Sequence, residues 1–377
     1  MLVPQNIVCK GMASPMSKLD HKLAGLIKPG IQALSAYPVP NSDGLLKLDA
    51  MENPYTWPAA LHAEWLAVLQ TQSLNRYPDA QAEGVKQALR KAMAIADDCA
   101  ILLGNGSDEI IQMLLMAING QHGVLTPTPG FVMYEMVAKC LALPFHAVPL
   151  NADFGLDRGA MLTAIQQHQP EIIFLAYPNN PTGNLFDDKI IEEIILQTPG
   201  LVIIDEAYAP FTDASYINRL SAWDNVLVMR TVSKMGLAGL RLGYLVGHPQ
   251  WIEAVDKVRL PYNINVLTQQ SVELALANKA IFDQQAQDIR CAREQLRAEL
   301  AAIPGIQVFP SEANFLLFRV ASHAQAMHVF DGLKHAEILI KNLSKAAGPL
   351  QGCLRVTVGR DTENVRFVGA LKALLTP

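Results

Sequence analysis

Arg230-Thr231-Val232-Ser233-Lys234-Met235-Gly236-Leu237-Ala238-Gly239-Leu240-Arg241 puts one lysine between a hydroxyl and a small, glycine-rich backbone, with an arginine shortly after it. A lysine that forms a Schiff base needs little crowding and a way to lose its proton, and nearby cations help depress its pKa. Ser233 and Arg241 together suit a phosphate monoester, because arginine offers a planar fork of donors and serine one more. A Schiff-base lysine beside a phosphate clamp describes pyridoxal phosphate. A lone loop lysine is more often merely solvated, so its company in the rest of the chain decides.

The chain from about Ala100 to Pro249 alternates short apolar strands with helical stretches, the pattern of a mostly parallel sheet. Strands are predicted at 100–103, 123–126, 145–148, 172–176, 201–204, 226–230 and 242–246. Several are unbroken apolar runs, as expected for strands covered on both faces. Residues 265–303 contain no proline or glycine and predict one long helix, broken at most once. Strands at 307–309, 314–320, 338–340 and 353–358, with helices between, predict a smaller α+β domain. Before Asp49 there is no strong periodicity, and that stretch is expected to pack on the small domain.

Functional groups in open α/β sheets gather beyond the carboxyl ends of the strands. One such end carries Gly104-Asn105-Gly106-Ser107-Asp108-Glu109 and then an apolar helix, whose free N–H groups and positive dipole end suit a phosphate. Taken alone, the segment reads more readily as an ordinary helix capped by Ser107 or Asp108. Another carries Tyr177-Pro178-Asn179-Asn180-Pro181-Thr182-Gly183-Asn184, a rigid turn in which Asn180 could donate to a phenolate oxygen. A third carries Asp205-Glu206-Ala207-Tyr208. A carboxylate ending a buried strand is costly unless a cation pairs with it. A protonated pyridine nitrogen is such a cation, although a helix cap at Asp205 explains the segment in isolation.

The 377 residues are half hydrophobic and only 17% charged, with a net charge of −5, enough for two domains with a substantial core. There is no basic patch for nucleic acid, no apolar run long enough for a membrane, and no signal-peptide pattern. Five scattered cysteines, Cys9, Cys99, Cys140, Cys291 and Cys353, support neither a disulfide framework nor a zinc site, and fit a reducing cytoplasm.

Taken in order, these segments resemble the fold-type-I pyridoxal-phosphate enzymes of the class I/II aminotransferase group, and within it the histidinol-phosphate aminotransferase family. The similarity covers nearly the whole chain, including the runs Leu48–Tyr55, Asn75–Pro78 and Leu354–Gly359. It implies a large domain over 50–265, built on a mostly parallel seven-stranded sheet flanked by helices. A small α+β domain would comprise 1–49 and 266–377, with an N-terminal arm. The implied reaction moves an amino group between glutamate and the histidinol phosphate/imidazole-acetol phosphate pair, with no metal. An aromatic amino-acid aminotransferase and a threonine-phosphate decarboxylase are the alternatives on the same scaffold. A transcription regulator is disfavoured by the lack of a helix-turn-helix pattern before Asp49.

Residue by residue, the resemblance implies that Lys234 holds the cofactor and then moves the proton. Asp205 would pair with the pyridine nitrogen, and Asn180 and Tyr208 would hold the ring hydroxyl. Gly106, Ser107, Asp108, Ser233 and Arg241 would line the phosphate pocket, with Phe131 stacked on the ring; plain core packing is the equal alternative for Phe131. Tyr77 would reach the phosphate from a neighbouring subunit, giving a homodimer with shared sites. Arg355 would grip the substrate carboxylate or phosphate, Tyr37 would lie over the substrate, and Lys341, where relatives often have arginine, would be a second phosphate contact. Arg355 as a surface strand residue and Tyr37 as loop packing remain the competing readings.

Overall fold

Along the central strands, alternate side chains enter two different cores. Ile173, Leu175, Val202, Ile204, Val226 and Val228 join one apolar cluster, whereas Ile172, Phe174, Leu201, Ile203, Leu227 and Met229 join another. Side chains in a strand point to opposite faces in turn, so a sheet buried on both sides must be apolar at every position. The helices Glu83–Met93 and Asp188–Gln197 cover one face through Val85, Leu89, Ile191 and Ile194. The helices Ser107–Ala117 and Val132–Leu141 cover the other through Ile110, Leu114, Tyr134 and Ala138.

The computed structural model describes residues 17–36, 39–345 and 348–375. Its central sheet has seven strands in the spatial order 100–104, 243–247, 226–231, 201–205, 172–176, 124–128 and 145–149. All pairings are parallel except those of Gly243–Gly247, which runs against both neighbours. All seven strands fall within two residues of the predicted positions. The predicted long helix is broken once, into Val266–Ala277 and Lys279–Ala301, with Asn278 at φ −107° and ψ 28° between them.

A second, antiparallel sheet has the order Lys341–Asn342, Cys353–Thr357, Phe315–Arg319 and Gln307–Val308. Its core combines Phe315, Phe318, Leu354 and Val356 with Ile289, Val329 and Phe367 from surrounding helices. The predicted strand at 338–340 is not part of this sheet. Ile338–Leu339 instead pairs in parallel with Leu46–Lys47, which ties the chain just before Asp49 to this region.

The described residues before Asn41 form a unit of their own. Within that unit, Ser17 and Asp20 form a reciprocal capping box at the helix Lys18–Leu26.

Candidate active site

The parallel strands Ala100–Gly104, Val124–Thr128, Ile172–Ala176, Leu201–Asp205 and Val226–Thr231 end along one edge of the central sheet. The loops that leave this edge enclose a cavity of about 350 Å³. Ser107, Asp108, Phe131, Asn180, Asp205, Tyr208, Ser233, Lys234 and Arg241 all line it.

Lys234 follows the strand Val226–Thr231 in a single 3-10 turn closed by Gly236. Gly236 has φ +109°, and a Cβ there would lie 2.9 Å from Asn53 Nδ2, so both backbone and space call for glycine. Burial lowers the Lys234 pKa to about 8, and the positive charge of Arg355 is the next largest cause. A neutral amine is therefore accessible near physiological pH. Lys234 Nζ stands 3.5 Å from the Ala50 carbonyl oxygen, so the loop 50–52 forms the wall opposite the sheet edge.

Asp205 is the last residue of its strand and almost wholly buried. Oδ2 accepts a hydrogen bond from the Tyr134 hydroxyl at 2.6 Å, and Oδ1 accepts one from the Ala207 N–H at 3.0 Å. Both donors are neutral, and burial pushes the Asp205 pKa up to about 6. A carboxylate in this state gains from a cation brought against it.

At the end of the cavity near Arg241, Gly106 rather than Ser107 or Asp108 is the residue that precedes the helix, and no side chain caps it. This corrects the capped-helix alternative, and Ser107 and Asp108 of the first turn line the cavity. Gly106 has φ +86°, and a Cβ there would lie 2.6 Å from Arg241 Nη2, so the guanidinium lies against bare backbone. Arg241 Nη2 also stands 3.5 Å from Asp108 Oδ2. The Thr231 hydroxyl donates to Ser233 Oγ at 2.9 Å and orients it.

Elsewhere in the cavity wall, Asn180 Nδ2 donates to the Tyr208 hydroxyl at 3.1 Å, while Asn180 Oδ1 accepts from Arg355 Nη1. Arg355 is buried rather than on a strand surface, with Nη2 donating to the Asp49 carbonyl at 3.0 Å and Cζ 5.1 Å from the Phe315 ring centre. Lys341 is its cross-strand neighbour in the small sheet, and its charge acts on Asp49.

Tyr77 is not part of this cavity. It is 80% exposed and stacks on Tyr262 at 4.4 Å. Tyr37 lies outside the described residues. Three contributors were missed in the sequence. Tyr134 follows the singled-out Phe131 by three positions, in the first turn of its helix, and packs edge-on to it at 5.5 Å. Thr231 was inside the quoted lysine stretch. The wall at Ala50, Met51 and Glu52 lies within the run Leu48–Tyr55.

The class I and II aminotransferase family model matches residues 43–371. Histidinol-phosphate aminotransferase 2 of Nitrosococcus oceani is 52% identical over 353 residues, covering 93% of this chain and 98% of the relative. The protein of the same name from Cupriavidus pinatubonensis is 51% identical over 367 residues, covering 96% of this chain and all of the relative. The fold is that of the Sinorhizobium meliloti histidinol-phosphate aminotransferase solved with pyridoxal-5'-phosphate, with a TM-score of 0.83 at 22% identity over 93% of this chain and 97% of that one. Among the described residues no helix is long and apolar enough to cross a membrane. With half of its residues shared across nearly its full length and a cavity built on the expected strand ends, this chain belongs to the class I and II aminotransferases, alongside the histidinol-phosphate aminotransferases.

Proposed function

We propose that this chain is a pyridoxal-phosphate-dependent aminotransferase that exchanges an amino group between glutamate and the histidinol phosphate/imidazole-acetol phosphate pair, a step of histidine biosynthesis. The observation that carries the proposal is the convergence of Lys234, Asp205 and Arg241 on one cavity, with Arg355 hydrogen-bonded to Asn180 at its wall.

The residues present suit the cofactor. Asp205, buried and bonded only to neutral donors in the hydrogen bonds above, would hold a protonated pyridine nitrogen. The uncapped helix start at Ser107, with Ser233 and Arg241, would hold the phosphate, and Asp108 orients the arginine. Phe131 would cover one ring face, and Tyr208, held by Asn180, would meet the ring oxygen. When bound, the cofactor supplies an electron sink for the bond broken at the substrate Cα.

Lys234 does the proton work, since an amine with pKa near 8 both takes and returns a proton at neutral pH. Arg355 fixes the substrate through its carboxylate or phosphate, a bidentate match for the guanidinium fork, and Lys341 adds a point charge beside it. Because Asn180 contacts both Arg355 and Tyr208, the substrate anchor and the ring contact are aligned by one amide.

A homodimer with shared sites is part of the same proposal. The exposed Tyr77, stacked on Tyr262 and accompanied by exposed Leu74 and Leu260, supplies an apolar surface for a second copy, whose phosphate pocket Tyr77 would complete. Residues 50–265 would then be the cofactor-holding domain and 266–377, with the N-terminal residues, the smaller one, in a cytoplasmic enzyme.

A half-reaction screen tests the assignment. Histidinol phosphate, phenylalanine, tyrosine and threonine phosphate are each added to the holoenzyme while the absorbance of the lysine-bound cofactor is followed. Fastest loss with histidinol phosphate supports it. Preference for an aromatic amino acid, or carbon dioxide release from threonine phosphate, overturns it.

A further inference from the structure

Three acidic side chains line the cavity: Asp108, Asp205 and Glu52. Asp108 faces the phosphate arginine at 3.5 Å, and Asp205 is fixed at the ring end by Tyr134. Glu52 serves neither. It lies in the wall opposite the sheet edge, close enough for its charge to act on Lys234, and its side chain is 46% exposed.

The loop that carries Glu52 is pinned on both sides. The Met51 N–H donates to Thr357 Oγ1 at 2.9 Å, and Asn314 Nδ2 donates to the Met51 carbonyl at 2.9 Å. Asn53 Nδ2 donates to the Met235 carbonyl at 3.2 Å, next to Lys234. Met51 itself holds a left-handed backbone at φ 54°. The carboxylate is aimed by Lys47, whose Nζ stands 3.0 Å from Oε1 and 2.9 Å from Oε2. Ala50 and Met51 make the adjoining wall apolar.

An apolar surface ending in an oriented carboxylate matches a flat ring with a polar N–H edge. Neutral imidazole presents one N–H donor and imidazolium two, and neither can be satisfied by the arginine and lysine that take the phosphate end. We infer that Glu52 is the specificity residue that accepts the hydrogen bond from the substrate imidazole, with Lys47 holding its carboxylate in place. The inference rests on histidinol phosphate being a substrate, as proposed above. Lys47 also explains how one wall tolerates glutamate. The second carboxylate of glutamate would meet an ion pair there, not a bare negative charge. An exposed pair of this kind contributes little to folding, so its variants should fold.

The test compares kcat/KM for histidinol phosphate, 2-aminopropyl phosphate (the same molecule without the imidazole) and glutamate in the holoenzyme. Glu52→Gln should lower the preference for histidinol phosphate over 2-aminopropyl phosphate by roughly 10- to 100-fold, the worth of one hydrogen bond to a charged group. Lys47→Met should move the histidinol phosphate to glutamate ratio the other way, because it leaves the Glu52 charge uncompensated. A Glu52→Gln enzyme that keeps the imidazole preference, or that loses all three substrates alike, overturns the assignment. Absence of turnover of histidinol phosphate by the unaltered enzyme removes the functional proposal itself and this inference with it.

Discussion

Tyr134 donates its hydroxyl to Asp205 Oδ2 at 2.6 Å, joining the first turn of one helix to the end of a strand 71 positions later. Burial disfavours the charged form of Asp205, whereas this hydrogen bond favours it. The phenol therefore keeps the carboxylate ionised near neutral pH.

Tyr134→Phe should raise the Asp205 pKa further above about 6, since it removes the largest opposing cause. The pH profile of the cofactor-free protein's stability to urea should therefore shift to higher pH. An unchanged profile would show that Tyr134 only packs on Phe174.

Asp205→Asn should act with opposite signs in the two forms of the protein. In the cofactor-free form the raised pKa means that Asp205 favours folding below about pH 4, and that this contribution is lost as pH rises through about 6. Asparagine removes that loss, so the apoenzyme at pH 7 should gain about 3 kcal/mol at most, visible in urea unfolding. In the loaded enzyme, kcat should fall by several orders of magnitude; loss of the aspartate of a serine-protease triad costs about 10⁴-fold.

Lys234→Ala should abolish turnover while leaving a folded protein. Borohydride reduction of the unaltered holoenzyme followed by peptide mapping should label Lys234, and a label on another lysine would remove it from its role. Because the Lys234 pKa is lowered to about 8, capture of pyridoxal phosphate by the apoenzyme should speed up as pH rises through that value. Arg355→Gln removes a cation that lowers it, so the midpoint should move to higher pH.

Arg355→Lys keeps a charge but loses the fork, and should raise KM for glutamate far more than it weakens cofactor binding. Removing one such contact typically costs about 2–5 kcal/mol. Lys341→Ala should impair histidinol phosphate and spare glutamate. Equal loss for both substrates would take Lys341 out of the site.

Mixing Tyr77→Ala with Lys234→Ala protomers under conditions of subunit exchange should restore activity that neither variant has alone. Shared sites require this, because one site of each mixed dimer would carry neither change. No recovery in a demonstrated mixed dimer would place Tyr77 outside the phosphate pocket.

The central sheet was legible because strands buried on both faces must be continuous apolar runs, as in Ile172–Ala176 and residues 201–204. That Lys234, Asp205, Asn180 and Arg241 meet in one cavity was legible because each follows soon after the end of a predicted strand. Tyr134 was not, since an aromatic on an apolar helix looks like core until its hydroxyl has a partner. The contact of Lys234 with Ala50 was hidden for a different reason: a backbone carbonyl has no residue signature. The two-residue strands Leu46–Lys47 and Lys341–Asn342 are too short to show a period.

Arg241 holds a left-handed backbone at φ 50°, a conformation that costs an L-residue on the order of 1 kcal/mol and glycine almost nothing. Its guanidinium is half exposed and paired only loosely with Asp108, so the folded chain recovers little from it. Any optimisation of this protein for thermal stability alone would therefore replace Arg241 with glycine early, and would disarm the proposed phosphate pocket while reporting an improved melting temperature. Stability screens on this scaffold need a cofactor-retention readout alongside the melting curve.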